Sequence, residues 1–307
     1  MVTQAGRRKD GRGICLSSLA SECWGKAVVV QLAEHIKLVE PSMKGFTASN
    51  IWRMKQFYES YKDVEKLAPL VRELSWTNNL IIFSRCKTIE EREFYIHLCL
   101  REKYSKRELE RQINTSVFER TMLADKKLSP AMRKLPQNAA GVFRDSYIFE
   151  FLDIPRRHCE NDLQKAIIRH LRDFILEIGR DFSFVGEEYR LQVGNRDFFI
   201  DLLFYHRELQ SLVAIELKVD EFQPEFMGQL NFYLEALDRD VRKPHENPSI
   251  GILLCKGKDD EVVEYALSRS VSPTLVADYE TKLIPKNLLC QKLHEFYELA
   301  EVVANDD

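Results

Sequence analysis

Glycine and proline are scarce in this chain, 12 and 10 of 307 residues, which excludes collagen-like and Pro/Gly low-complexity architectures. No apolar run approaches the roughly 18–20 residues that a membrane span needs, so a membrane is not an expected partner. After the early basic residues Arg7, Arg8 and Lys9, the run Ile14 to Ala20 is short and holds two serines, and no signal peptide is read there. The seven cysteines (Cys15, Cys23, Cys86, Cys99, Cys159, Cys255 and Cys290) are odd in number and form no CxxC pair. A disulfide framework or zinc site is therefore not expected, and reduced thiols in a cytoplasm are the simpler reading. No internal repeat is visible.

What is present is a chain 45% hydrophobic and 30% charged, enough for a folded, soluble protein with a sizeable core, in two domains rather than one. The net charge of −3 conceals an asymmetry: residues 1–140 hold 25 Lys+Arg against 16 Asp+Glu, and the remainder 20 against 32. Uneven surface charge is one explanation. The other is a basic module that approaches an anionic polymer and an acidic module that holds divalent cations.

Periodicity divides the chain further. Residues 1–21 show none and are expected to be disordered or an atypical start. Residues 22–136 read as a helical domain. Ala27, Val28, Leu32, Ile36 and Val39 recur at three-to-four spacing, and Thr47 or Ser49 can cap a second helix carrying Ile51, Met54, Phe57, Tyr58 and Tyr61. The two could form a helix-turn-helix with Lys44, Arg53 and Lys55 towards phosphate, or a plain αα-hairpin with those residues solvated. Two more helices are predicted between Glu90 and Leu123. The second opens on a capping box, Ser105 and Glu108, and its Arg/Glu alternation reads as a solvated face. Pro130 and Pro136 break the pattern, placing a boundary near 136 and a transition over 137–155.

Residues 156–307 read as a mixed α/β domain. One long helix begins near Glu160, with Leu163, Ile167, Leu171, Phe174 and Ile178 as its apolar stripe and Gly179 at its end. Glu160 lies one turn before Leu163 on that stripe, so it is expected to face the core. Strands follow near Ser183–Val193, Asp197–Tyr205 and Leu212–Lys218, then a helix with Pro224 at its start, a buried strand Ser249–Cys255, a helix, a strand near Thr274 and a terminal helix from about Lys286.

The stretch Asp197–Lys218, DFFIDLLFYHRELQSLVAIELK, joins two apolar strands that are interrupted by Asp201, Glu216 and Lys218. A charge in such a strand is costly unless paired or bound to metal. Glu216 and Lys218 share one face, and a four-residue loop over Arg207–Gln210 places Asp201 opposite Glu216. A divalent cation between the two carboxylates would remove their repulsion, and oxygen-only ligands suit Mg2+ or Mn2+. A salt-bridged cluster at the end of a half-exposed hairpin is the alternative, and at this point both stay open.

Asp201 followed fifteen residues later by Glu216-Leu217-Lys218 resembles the PD-(D/E)XK nuclease motif, and the order of elements around it is similar to that superfamily's αβββαβ core. Gln229 to Tyr233 resembles the QxxxY element of its RecB-like branch. The longer stretches RDFFIDLLFYHREL, VAIELKVDEFQPE, GQLNFYLEALD and NPSIGILLCK, with KGFTASNIWRMKQFYESY and KRELERQI upstream, resemble the YhcG-type family, in which a helical N-terminal domain precedes a restriction-endonuclease-like domain with a mixed central sheet. The resemblance covers roughly residues 24–295. Ile200 replaces the Pro that names the motif. The family usually carries a further helix before Trp24-Gly25, which residues 1–22 do not resemble, so a truncated or misassigned start is expected.

The resemblance implies metal-dependent hydrolysis of nucleic acid, DNA before RNA, in defence and restriction or in recombination and repair. Asp201 and Glu216 would ligate Mg2+ or Mn2+ through their side chains, Leu217 through its carbonyl, and Glu160 directly or through water. Lys218 would orient or deprotonate the attacking water, and Gln229 and Tyr233 would position Lys218 or the backbone. A homo-oligomer is compatible with this reading. The alternative is a catalytically inactive module that binds nucleic acid or protein and uses the nuclease fold as a scaffold.

Overall fold

The computed structural model describes residues 26–135, 139–155 and 157–306; the expectations for 1–21 and for a break at Pro136 lie outside the described residues. The chain divides into two compact units after Phe83.

The first unit holds α1 (Lys26–Val39), α2 (Ala48–Tyr61), α3 (Ala68–Glu73) and most of α4 (Trp76–Arg85). Thr47 is the N-cap of α2 and accepts from the Asn50 amide, which satisfies one of the donors that a helix start leaves open. Phe57 packs against Tyr61, Trp76 and Phe83, and the Trp76 indole N–H donates to Asn50 Oδ1 at 3.2 Å.

The second unit begins with α5 (Ile89–Glu102), α6 (Lys106–Asn114) and α7 (Val117–Leu123), followed by the short α8 (Pro130–Arg133) and α9 (Ala139–Val142). The capping box at Ser105 and Glu108 forms as expected. The single charged helix predicted over this region is instead broken at Ser116, whose backbone is left-handed (φ 54°). Nor is its charge simply solvated. Glu177 is fully buried and binds Arg111 at 2.8 Å, Arg144 at 3.2 Å and Arg120 at 3.4 Å, while Arg111 also takes Glu150 at 2.8 Å. Burial alone would raise the Glu177 carboxyl, but the three guanidiniums hold it at about 2. Through these pairs α6 and α7 are fixed to the sheet-bearing part of the chain.

The sheet has six strands in the order β1-β6-β5-β4-β3-β2: β1 (Ser146–Ile148), β2 (Phe182–Val193), β3 (Arg196–His206), β4 (Ser211–Leu217), β5 (Ile250–Cys255) and β6 (Thr274–Glu280). β2, β3 and β4 pair antiparallel, and β4, β5, β6 and β1 parallel, which makes the sheet mixed. β1 falls in the stretch predicted as a transition; Tyr147, Ile148 and Phe149 are fully buried there, so that stretch is part of the core. On one face lie α10 (Glu160–Arg169) and α11 (Leu171–Ile178), one predicted helix split at His170. Leu163, Ile167, Phe174 and Ile178 form a core there with Leu202, Phe204, Val213, Ile215 and Leu217. On the other face, α12 (Phe226–Asp240) and α13 (Asp260–Leu267) cover Leu203, Ala214 and Leu253. A Cβ on Gly251 would come within 2.9 Å of Leu230 and Leu234, so glycine at this point of β5 is what lets α12 lie close. The terminal helix is α14 (Lys286–Asp306). No helix among the described residues is long and apolar enough to cross a membrane.

Candidate active site

The apolar alternation that buries β4 puts Val213, Ile215 and Leu217 into the first core and Leu212 and Ala214 into the second. Glu216 therefore faces the α12 side, where its side chain is only 3% exposed. Residues 207–210 form the turn, and pairing runs from His206↔Ser211 to Leu202↔Ile215, the register that sets Asp201 against Glu216. The two meet: the Asp201 amide donates to Glu216 Oε1 at 3.4 Å, and Asp201 Oδ2 accepts the Leu217 amide at 2.8 Å.

Asp201 also marks a slip in the strand. Phe198, Ile200 and Leu203 pack on the α12 side, but Leu202 and Phe204 pack on the α10 side. In a regular strand, residues two apart keep to one face, so the alternation shifts between Ile200 and Leu202. Across from this point on β2, between the pairs Glu187↔Leu202 and Tyr189↔Ile200, Glu188 is left-handed (φ 44°), an uncommon backbone for a non-glycine residue.

Lys218 follows β4 and is 11% exposed. Its Nζ lies 3.3 Å from Glu160 Oε2 and 4.0 Å from Glu216 Oε2, and 5.5 Å from the centre of the Phe226 ring. Glu160, the first residue of α10, thus reaches the site through Lys218. Its side chain is 45% exposed, not turned into the core as its place on the stripe suggested: as the first residue of α10 it stands beside Lys218, just past the end of the interior strand β4, and its carboxylate pairs with that lysine. Gln229 is exposed and donates to the hydroxyl of the buried Tyr233 at 2.8 Å. The sequence pattern did not single out Phe226, under Lys218, or Gln164, whose Nε2 donates to the Asp201 carbonyl at 2.9 Å. Gln164 stands four residues after Glu160, and that spacing on one helix face was the available signal. The expected phosphate contacts belong to the first unit. Lys44 and Arg53 are exposed there, and Lys55 pairs with Glu59 at 3.1 Å and lies over the Trp52 ring.

The electrostatics favour a bound cation. Burial, then the charge of Asp201, pushes Glu216 up to about 8, and burial also raises Asp201 despite the Leu217 N–H. Two carboxylates that cannot both ionise comfortably are what a divalent cation relieves. Among the described residues, no group of three His, Cys, Asp or Glu closes into a metal cage, since Glu160 is drawn to Lys218. That donor set still fits Mg2+ or Mn2+: Mg2+ is commonly held by one or two carboxylates, with water and substrate phosphate completing its shell.

A stability prediction follows from the same pair. The folded carboxyl of Glu216, near 8, stands above its unfolded value of about 4.3. Stability that is full below about pH 4 is therefore lost as pH rises towards 8. Glu216→Gln removes that loss. Without metal at pH 8 its thermal midpoint should exceed that of the unaltered protein by at least about 2–4 °C, the shift that ~1 kcal/mol gives in a domain of this size. The gain should shrink towards zero near pH 4. Equal midpoints at both pH values in a calorimeter would contradict the proposed repulsion.

A family model described as "YhcG PDDEXK nuclease domain" matches residues 140–294, and one described as "DUF1016 N-terminal domain" matches residues 11–120. A curated protein of Escherichia coli (strain K12), named "Putative nuclease YhcG", is 31% identical over 309 residues, covering 89% of this chain and 81% of that one. Two solved structures are also similar. A repair endonuclease from Pyrococcus abyssi is 14% identical, with 42% of this chain and 49% of that chain covered at a TM-score of 0.28. A structure titled "Structure of EndoMS-dsDNA2 complex" is 17% identical, with 33% and 37% covered at a TM-score of 0.24. The chain spans less than half the length of either solved chain.

Proposed function

Because the chain belongs to the YhcG family of PDDEXK nucleases, we propose that it hydrolyses phosphodiester bonds of DNA with Mg2+ or Mn2+ at the Asp201–Glu216 pair. The observation that carries this reading is the opposition of half-buried Asp201 and buried Glu216 across β3 and β4, with Lys218 between Glu216 and Glu160. Asp201, Glu216 and the Leu217 carbonyl would hold the cation, with Glu160 close enough to join through water. A cation held there supplies Lewis-acid stabilisation to the scissile phosphate. Lys218 orients the attacking water and offsets the negative charge that grows on the phosphate oxygens. The Phe226 ring lies by the Lys218 ammonium, and Gln229 with Tyr233 positions Lys218 or the backbone beside it. The excess of basic residues in 1–140 supports delivery of DNA by the N-terminal half, with Lys44, Arg53 and Lys55 as contacts. The biological setting proposed is defence and restriction or recombination and repair.

The test is cleavage of linear, nicked, branched and single-stranded DNA, and of RNA, with Mg2+, Mn2+ or chelator. Metal-dependent cutting of at least one DNA substrate is expected; cutting that persists in chelator, or none on any DNA, counts against the proposal. Asp201→Asn should weaken Mn2+ binding by about 10-fold or more, since it removes one of two charged oxygen ligands. Isothermal titration of both proteins checks it, and equal affinities would exclude Asp201 as a ligand.

A further inference from the structure

Asp201 sits where the strand alternation slips, and its polar groups are held outside the regular ladder. The regular pairing of β3 with β4 spans Leu202 to His206, and its pairing with β2 passes from Leu202 to Ile200. Between these, the Asp201 amide donates to the Glu216 side chain, its carboxylate accepts from the Leu217 amide, and its carbonyl accepts from the Gln164 side chain. Buried backbone carbonyls need a partner, and here a side chain of α10 supplies it.

Gln164 is 7% exposed and is followed on α10 by the core residues Ala166 and Ile167. A buried amide is costly unless hydrogen-bonded, so packing alone does not account for a glutamine there. Glu160, four residues earlier, reaches Lys218 at 3.3 Å. One face of α10 therefore touches the site twice, one turn apart: at the lysine, and at the backbone of the carboxylate opposite Glu216.

We infer that Gln164 is a positioning residue of this nuclease site, fixing the Asp201 carboxylate against Glu216 through the Asp201 carbonyl and tying α10 to that pair. The inference rests on the proposed nuclease reading. Gln164 neither carries charge nor acts on substrate; it sets the geometry in which the cation is bound. Loss of such an outer partner typically lowers metal affinity or activity by 10–100-fold.

The experiment compares Gln164→Leu and Gln164→Met, both of similar size and lacking the donor, with the unaltered full chain. Mn2+ affinity is measured by electron paramagnetic resonance, DNA cleavage is resolved into kcat and KM, and the fold is followed by thermal melting without metal. The expected result is a Mn2+ Kd raised on the order of 10–100-fold and a lowered kcat with KM for DNA unchanged, in at least one variant that melts above the assay temperature. Unchanged Mn2+ affinity in such a variant overturns the inference and leaves the nuclease reading intact. If both variants are unfolded at the assay temperature, Gln164 is a fold residue and the inference is likewise overturned. If the unaltered protein neither binds Mn2+ nor cuts DNA, the nuclease reading itself fails, and the inference falls with it.

Discussion

Lys218→Ala should reduce DNA cleavage by about 10²–10³-fold or more, the range seen when a group that stabilises transition-state charge is removed, while DNA binding stays within a few-fold. Lys218 is 11% exposed, and its Nζ stands between Glu160 and Glu216. A cation so placed serves the developing charge on a phosphate and contributes little to holding a long polyanion, which rests on many dispersed contacts. The same substitution has a second, less obvious outcome. Lys218 lowers the Asp201 and Glu216 carboxyls against the burial that raises them. Removing its charge pushes both carboxyls further up, towards the protonated form, but it also removes a positive charge that repels a bound cation; at a pH high enough to ionise both carboxyls, Mn2+ should therefore bind at least as tightly as before. Lost cleavage with retained metal binding would assign Lys218 to the chemical step; unchanged cleavage would remove it from the mechanism.

Glu177→Gln should lower stability by about 3–5 kcal/mol, as breaking a buried ion pair from one side does. Glu177 is fully buried and is shared by Arg111, Arg120 and Arg144. Its removal leaves the buried Arg120 without its carboxylate and Arg111 with Glu150 alone. In a unit of this size the melting midpoint should fall by roughly 10 °C or more. The pH dependence has a definite sign. The folded carboxyl is at about 2, below its unfolded value near 4.3, so its contribution is full above about pH 4.3 and is lost as pH falls towards 2. Glu177→Gln should therefore differ most from the unaltered protein at neutral pH and converge with it in acid. A midpoint unchanged at pH 7 would show that the cluster contributes no net stability.

The Asp197–Lys218 hairpin was legible because its physics is local. A four-residue turn and a period of two place Asp201 opposite Glu216, and the pairing from Leu202↔Ile215 to His206↔Ser211 has that register. Thr47, Ser105 and Glu108 were likewise readable as caps, since each acts on a backbone three residues away. The helix breaks at Ser116 and His170 carry no proline or glycine to mark them, and an unbroken apolar stripe runs through the second. Arg111 and Arg120 looked solvated because their carboxylate, Glu177, lies 66 and 57 residues further on. The slip at Asp201 was hidden too: Ile200 and Leu202 are equally apolar, and only the helices above and below decide which core receives each.

That slip also has a mechanical meaning. Beyond Asp201, the outer part of the β2–β3 hairpin is paired strand to strand, but the regular pairing of β3 with β4 reaches only to Leu202. It is a two-stranded ribbon that lies against α12, where Leu191 and Ile200 are buried and the Phe198 ring meets Phe232 at 4.6 Å, while Phe199 is half exposed and Gly194 stands at the tip. Two paired strands are less stable by themselves than a wider sheet, and this pair has its root at Asp201. Amides of residues 189–199 should accordingly exchange with deuterium faster than those of 202–206 and 211–217. A load on the ribbon would be shared with α12 and passed at its root to Asp201, the carboxylate proposed to hold the metal.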